Sequence, residues 1–148
     1  MIMKLSQGEY VAPQKLEGAF GVSDLIGPCF VYANSLKSNT VMVITLDEGA
    51  EAWAVKNDKP KDVTSLSQDA DLKKAIIAEI GRICKEQGFN NVEKPREVFI
   101  SDQTFSVENG CVTPTFKMKR KGVQELFQQH LDDMYAKIDI ELAKRDAQ

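Results

Sequence analysis

The sequence predicts an α+β fold, a small, mainly antiparallel three-stranded sheet packed with helices, plus short hairpins. Three observations lead there. Short runs of high β propensity, Cys29–Tyr32, Thr40–Leu46 and Glu97–Ile100, recur between turn signals. Two longer stretches instead repeat apolar residues at helical spacing. The chain has 148 residues, 43% hydrophobic and 28% charged, which suits one soluble domain with one core.

Each element follows from its residues. Lys4–Val11 reads as a small hairpin bent at Gly8. Pro13 suits a first helical position, where its missing N–H costs nothing, and opens a helix over 14–20 with Leu16, Ala19 and Phe20 on one side. Gly27-Pro28 punctuates the chain before the strand Cys29–Tyr32. A turn over 34–39 leads to Thr40–Leu46, its antiparallel neighbour at the centre of the sheet. Asp47 caps a helix through Ala50, Trp53 and Ala54. The polar stretch 56–67, with Pro60, reads as loop. Leu72, Ala75, Ile76, Ile80, Ile83 and Cys84 define a helix stopped by Gly88. Glu97–Ile100 is the third strand. Phe105–Val107 and Cys111–Thr113 flank Asn109-Gly110, the pair best suited to a tight type I′ hairpin. The last helix carries the stripe Val123, Leu126, Phe127, His130, Leu131, Met134, Tyr135 and Ile138, which covers the sheet. Its charged end beyond Ile138 is expected to fray.

Composition narrows function. With 19 basic and 22 acidic side chains the net charge is −3, which gives no general attraction to nucleic acid. No apolar run reaches the ~18–20 residues of a membrane span. Cys29, Cys84 and Cys111 are far apart and lack metal-ligand spacing, so they are expected to be buried thiols in a reducing compartment. His130, the single histidine, lies on an apolar helix face and reads as a packed or boundary residue. No metal site is expected.

The chemistry concentrates just before the last helix. The predicted hairpin delivers Thr113-Pro114-Thr115 and then Lys117, and a cation at the exit of a rigid turn can be aimed. Two segments are diagnostic. Lys4-Leu5-Ser6-Gln7-Gly8-Glu9-Tyr10-Val11-Ala12-Pro13 opens the chain, and Asn109-Gly110-Cys111-Val112-Thr113-Pro114-Thr115-Phe116-Lys117-Met118-Lys119-Arg120 lies near its end. In content, order and separation they resemble the opening and closing motifs of the C-terminal domain of long-chain acyl-CoA synthetases (fatty-acid–CoA ligases), in the adenylate-forming superfamily. The resemblance covers almost the whole chain. One departure stands out: the wider superfamily has glycine before the lysine, where this chain has Phe116, as other long-chain members have a large apolar residue.

The resemblance implies a reaction of ATP, a long-chain fatty acid and coenzyme A, with Mg2+, yielding acyl-CoA, AMP and pyrophosphate through an acyl-adenylate. It makes Lys117 the catalytic lysine of adenylation. The Gly8 loop, with Lys4 and Glu9, would serve the thioester step beside the pantetheine arm after the domain rotates. Lys119, Arg120 and Lys121 are candidate phosphate contacts, or equally the solvated side of a helix start. The family's phosphate loop, adenine motif, fatty-acid tunnel and Asp-Arg-Lys-Lys hinge do not occur in this sequence. Residues 1–148 are therefore expected to form the single C-terminal domain of a longer enzyme, with an artificial or mis-assigned start at Met1. Such a domain needs its N-terminal partner domain for activity and binds no cofactor tightly alone. It is expected in the cytoplasm, with any attachment to the cytosolic face of a membrane supplied by other parts of the enzyme. Two rivals are a stand-alone anion- or nucleic-acid-binding module using Lys117–Lys121 and a non-catalytic scaffold with the same fold. The acidic balance and the lack of interleaved aromatics oppose the first.

Overall fold

The central strand is apolar at every position, and such a strand must be covered on both faces. The computed structural model, which describes residues 1–147, shows that arrangement. The elements are β1 (Met3–Lys4), β2 (Tyr10–Val11), α1 (Pro13–Phe20), β3 (Cys29–Tyr32), β4 (Val41–Ile44), α2 (Glu48–Lys56), α3 (Val63–Ser67), α4 (Ala70–Gln87), β5 (Glu97–Ile100) and α5 (Arg120–Asp146). β1 and β2 form a hairpin, and β3-β4-β5 form the main sheet. β3 lies antiparallel to β4, with Cys29 opposite Ile44 and Tyr32 opposite Val41. β5 joins parallel to β4, with Val41 opposite Glu97 and Ile44 opposite Ile100. The parallel pairing follows from the helical crossover α2–α4, which returns the chain to the starting end of the sheet. Both other pairings are antiparallel.

Strand alternation sorts the core into two layers. Val31, Met42, Ile44, Val98 and Ile100 pack with Leu16 and Phe20 of α1, Ala50 and Ala54 of α2, and Leu72, Ile76 and Ile80 of α4. Phe30, Val41 and Val43 face the other way, against Val123, Phe127, Leu131, Tyr135 and Ile138 of α5. Burying each such aliphatic or aromatic side chain contributes about 1.5–3 kcal/mol. The last helix is thus the sheet's cover, as its stripe predicts. Only the stripe's margins reach solvent: Leu126 is exposed, and His130 is half-buried, stacked on Phe99 with ring centroids 3.8 Å apart. All three cysteines are buried free thiols.

The helix ends obey local chemistry. Asp47 caps α2 through the Gly49 N–H, and Asp69 caps α4 through the Leu72 N–H. α4 stops at Gly88, whose φ of 71° is left-handed. Three expectations need correction. The stretch 56–67 is not all loop, because Asp62 accepts from the Ser65 N–H and starts α3, which buries Leu66. The end of α5 does not fray at Ile138. The helix continues to Asp146, held by half-buried Leu142 and by Arg96–Glu141 and Lys37–Asp139 ion pairs. The third correction concerns Asn109-Gly110 and belongs to the site.

Candidate functional site

Asn109-Gly110 does not turn a β-hairpin. A type I′ turn needs positive φ at both residues, and here only Gly110, at 80°, has it. Asn109 makes local bonds instead: its Oδ1 accepts from the Ser106 and Cys111 N–H groups, and its Nδ2 donates to the Thr104 carbonyl. Such side-chain bonding competes with a strand ladder. The hairpin forms a few residues later, where Val112 pairs antiparallel with Met118.

Lys117 therefore lies on the hairpin itself. Thr113 organises the turn: its N–H donates to the Lys117 carbonyl (2.8 Å), its carbonyl accepts from the Phe116 N–H (2.8 Å), and its Oγ1 accepts from the Lys117 N–H (3.1 Å). Phe116 has φ +62° and is 84% exposed. The side chain of Lys117 is also exposed and has no ion-pair partner among the described residues.

Arg120, the first residue of α5, is turned inward. One terminal nitrogen donates to Glu17 Oε1 (2.8 Å) and the other to the Val31 carbonyl (2.9 Å), while the guanidinium lies over Phe30 at 4.8 Å. Glu17 Oε2 in turn accepts from the Val31 N–H (2.7 Å). β3 is an edge strand, and its outward backbone groups would otherwise lack partners. The Arg120–Glu17 pair closes that edge and pins the start of α5 to the sheet. Gly122 adds a second restraint, because any side chain there would collide with the Gly110 carbonyl. The hairpin carrying Lys117 is thus anchored at its exit.

Lys119 and Lys121 are exposed, and Lys121 approaches only Glu125, at 4.0 Å. No side chain caps α5 at Lys119, so its positive dipole end adds to these cations. Lys119 and Lys121 line one hollow beside the N-terminus of α5, which makes that end electropositive.

The Gly8 loop occupies another part of the domain. Leu5 donates its N–H to the Glu9 carbonyl (2.8 Å), and Gly8 donates to Leu5 (3.0 Å), with φ +92° at Gly8. The turn is tied to the β3–β4 connection by Ser6 N–H to the Lys37 carbonyl (3.0 Å) and Gln7 Nε2 to the Ser38 carbonyl (2.9 Å). Met118 instead lines a hollow with Pro28 and Cys29, at the opposite end of β3. The Gly8 turn is thus tied beyond the end of β3, whereas the Lys117 hairpin is held to β3 itself through Arg120 and Val31. Lys4 lies 5.9 Å from the Tyr10 ring, and exposed Glu9 accepts only a long bond from Gln7 (3.4 Å). Among the described residues, no group of three or more His, Cys, Asp or Glu side chains could hold a metal ion.

Over 140 residues, 94% of its length, the chain is 34% identical to long-chain-fatty-acid–CoA ligase 1 of Cavia porcellus. Over 136 residues, 91% of its length, it is 37% identical to long-chain-fatty-acid–CoA ligase 6 of Homo sapiens. Along nearly its whole length the chain is thus similar to a part of these long-chain-fatty-acid–CoA ligases. It spans 20% of the length of each of these two synthetases. The A-PCP didomain of the carboxylic acid reductase from Segniliparus rugosus, solved in complex with AMP, superposes with a TM-score of 0.75 at 30% identity, over 93% of this chain and 18% of that one. No protein-family model matches the chain.

Lys119 and Lys121 line one shallow hollow at the start of α5, Lys117 precedes them on the hairpin, and Arg120 is turned away into the fold. Gly8 and Glu9 share one turn elsewhere, with Lys4 on the adjoining strand β1. The Arg120–Glu17–Val31 clamp escapes a reading of the sequence, since it joins residues 103 positions apart. Its only local hint is Glu17, a carboxylate in a helix whose neighbours Leu16 and Phe20 are buried.

Proposed function

We propose that this chain is the C-terminal domain of an AMP-forming long-chain fatty-acid–CoA ligase and that Lys117 serves the adenylation step. The reaction converts ATP, a fatty acid and coenzyme A into acyl-CoA, AMP and pyrophosphate. In its first half a carboxylate oxygen attacks the α-phosphate and pyrophosphate leaves, so two anions must meet. The observation that carries the reading is Lys117, a solvent-facing ammonium without a counter-ion among the described residues, held on a hairpin braced by Thr113 and pinned by Arg120. Placed between carboxylate and α-phosphate oxygens, it offsets their repulsion and stabilises the charge that develops as the new bond forms. One preorganised donor of this kind contributes about 3–4 kcal/mol, several hundredfold in rate. It transfers no proton. Lys119 and Lys121 steer phosphates toward the N-terminus of α5. Arg120 is reserved for architecture, because its two terminal nitrogens are already engaged.

In the second half the coenzyme A thiol attacks the acyl-adenylate carbonyl and AMP leaves. The Gly8 turn is assigned to this step. A side chain at Gly8 would meet no atom of this domain within 4 Å, so the fold itself demands only the positive φ there. The missing Cβ would also let the pantetheine arm approach the backbone. Lys4 and Glu9, which lack strong bonds to each other, flank the turn and can take new partners after a rotation. ATP, fatty acid and any Mg2+ are held by the N-terminal part of the longer polypeptide. No helix of the described residues is long and apolar enough to cross a membrane. The enzyme is placed in the cytoplasm, and any membrane attachment is assigned to the rest of the polypeptide.

Fatty-acid-dependent exchange of labelled pyrophosphate into ATP tests the reading. The chain joined to its nucleotide- and fatty-acid-binding partner domain should support exchange, and the chain alone should not. Exchange by the isolated 148 residues would refute it.

A further inference from the structure

A second basic site lies far from Lys117. A hollow of about 560 Å³ opens between α4, the lead-in to β5 and the C-terminal half of α5. Five cationic side chains line it, Lys73, Lys94, Arg96, Lys137 and Arg145, against one carboxylate, Glu97. That concentration is notable in a protein of net charge −3 with 19 basic residues in all. Lys137 pairs with Glu97 (3.1 Å) and Arg96 with Glu141 (3.7 Å), which fixes two of the cations. Lys73 and Lys94 have no ion-pair partner among the described residues. Like charges held round one concavity repel unless an anion joins them, and low-dielectric walls focus their field inward.

The remaining lining is Asn39, Asn91 and four apolar residues. Ile77 is 46% exposed there, and Ile80, Pro95 and Val98 also line the hollow. The volume falls in the range of sites that enclose a small organic ligand. Lys137 follows Arg120 by 17 residues of unbroken helix, so it lies about 25 Å along α5 from the Lys117 end. The two basic regions therefore cannot share one phosphate group.

We propose that this hollow is a binding site for a phosphate-bearing nucleotide, with phosphates held by Lys73 and Lys94 and the base against exposed Ile77. The site does not depend on the role assigned to Lys117. Polyphosphate charge supplies the missing counter-ion, and the planar base covers the exposed Ile77 side chain. A flat lipid surface would satisfy neither the depth nor the convergence of the cations.

Amide chemical-shift titration of the 148-residue chain with ATP tests this, with pyrophosphate and adenosine as part-ligands. ATP should shift residues around Lys73, Ile77, Lys94 and Lys137 saturably, more tightly than either part-ligand, and less tightly as salt rises. Removing one charge-assisted hydrogen bond should weaken binding about tenfold or more, so Lys73→Gln with Lys94→Gln should abolish saturation while the melting temperature is kept. Ile77→Ser should weaken ATP but not pyrophosphate. Shifts confined to Lys117–Lys121, or saturation unchanged in the double variant, would overturn the proposal. So would displacement of ATP by phosphatidylserine vesicles, which would make the surface a lipid contact.

Discussion

Phe116 shows how a single residue can oppose its own backbone. A bulky L-residue in the left-handed region costs about 1–2 kcal/mol. Nothing in this domain packs on the ring to offset that cost, since 84% of it faces solvent. The conformation persists because the Thr113 bonds on either side impose it. Phe116→Gly should therefore raise stability in urea melts by about 0.5–1 kcal/mol, after allowing for glycine's larger unfolded-state entropy. A loss of stability would mean that the ring contributes packing in the folded chain. A positive φ of this size is one that glycine adopts without cost.

Among the elements, α4 and α5 begin by different means. Asp69 caps α4, and the Leu72 N–H, helped by Lys59, holds its carboxyl below the ordinary aspartate range. A group depressed in the fold stabilises it fully above the unfolded pKa, about 4, and loses that contribution as pH falls through the depressed folded value. Asp69→Asn keeps the acceptor but removes the titration. The stability gap between the two proteins should thus be largest at neutral pH and shrink in acid, as thermal melts across pH would show. A gap independent of pH would contradict the electrostatic part of the cap. α5 has no such cap and starts on the Arg120–Glu17 clamp instead. Arg120→Ala leaves Glu17 half-paired and uncovers the β3 edge, and should cost about 2–3 kcal/mol in chemical denaturation. If Arg120 were instead a phosphate contact, its loss would leave stability unchanged.

For the whole molecule, what could be read from the sequence tracks the range of the forces involved. Periodicity exposed α4 and α5 because each buries a regular face, and β propensity between turn signals exposed the three strands of the main sheet. Cap chemistry found Asp47 and Gly88, whose partners are within a few residues. The short helix after Pro60 escaped because a single buried residue, Leu66, makes no period. The Asn109-Gly110 turn misled because propensity there yields to side-chain bonds with Ser106 and Cys111. Arg120 looked like its basic neighbours, and only the chain's return to β3 separates it from them. The Lys117 segment was legible as a motif, and its bracing was not. The most direct measurement of the central claim compares the two half-reactions of the complete ligase carrying Lys117→Ala. Acyl-adenylate formation should fall several hundredfold, about 3–4 kcal/mol of transition-state stabilisation. Thioester formation from supplied acyl-adenylate should stay within a few-fold of the unmodified enzyme. Equal losses in both half-reactions would contradict the assignment of this lysine to adenylation.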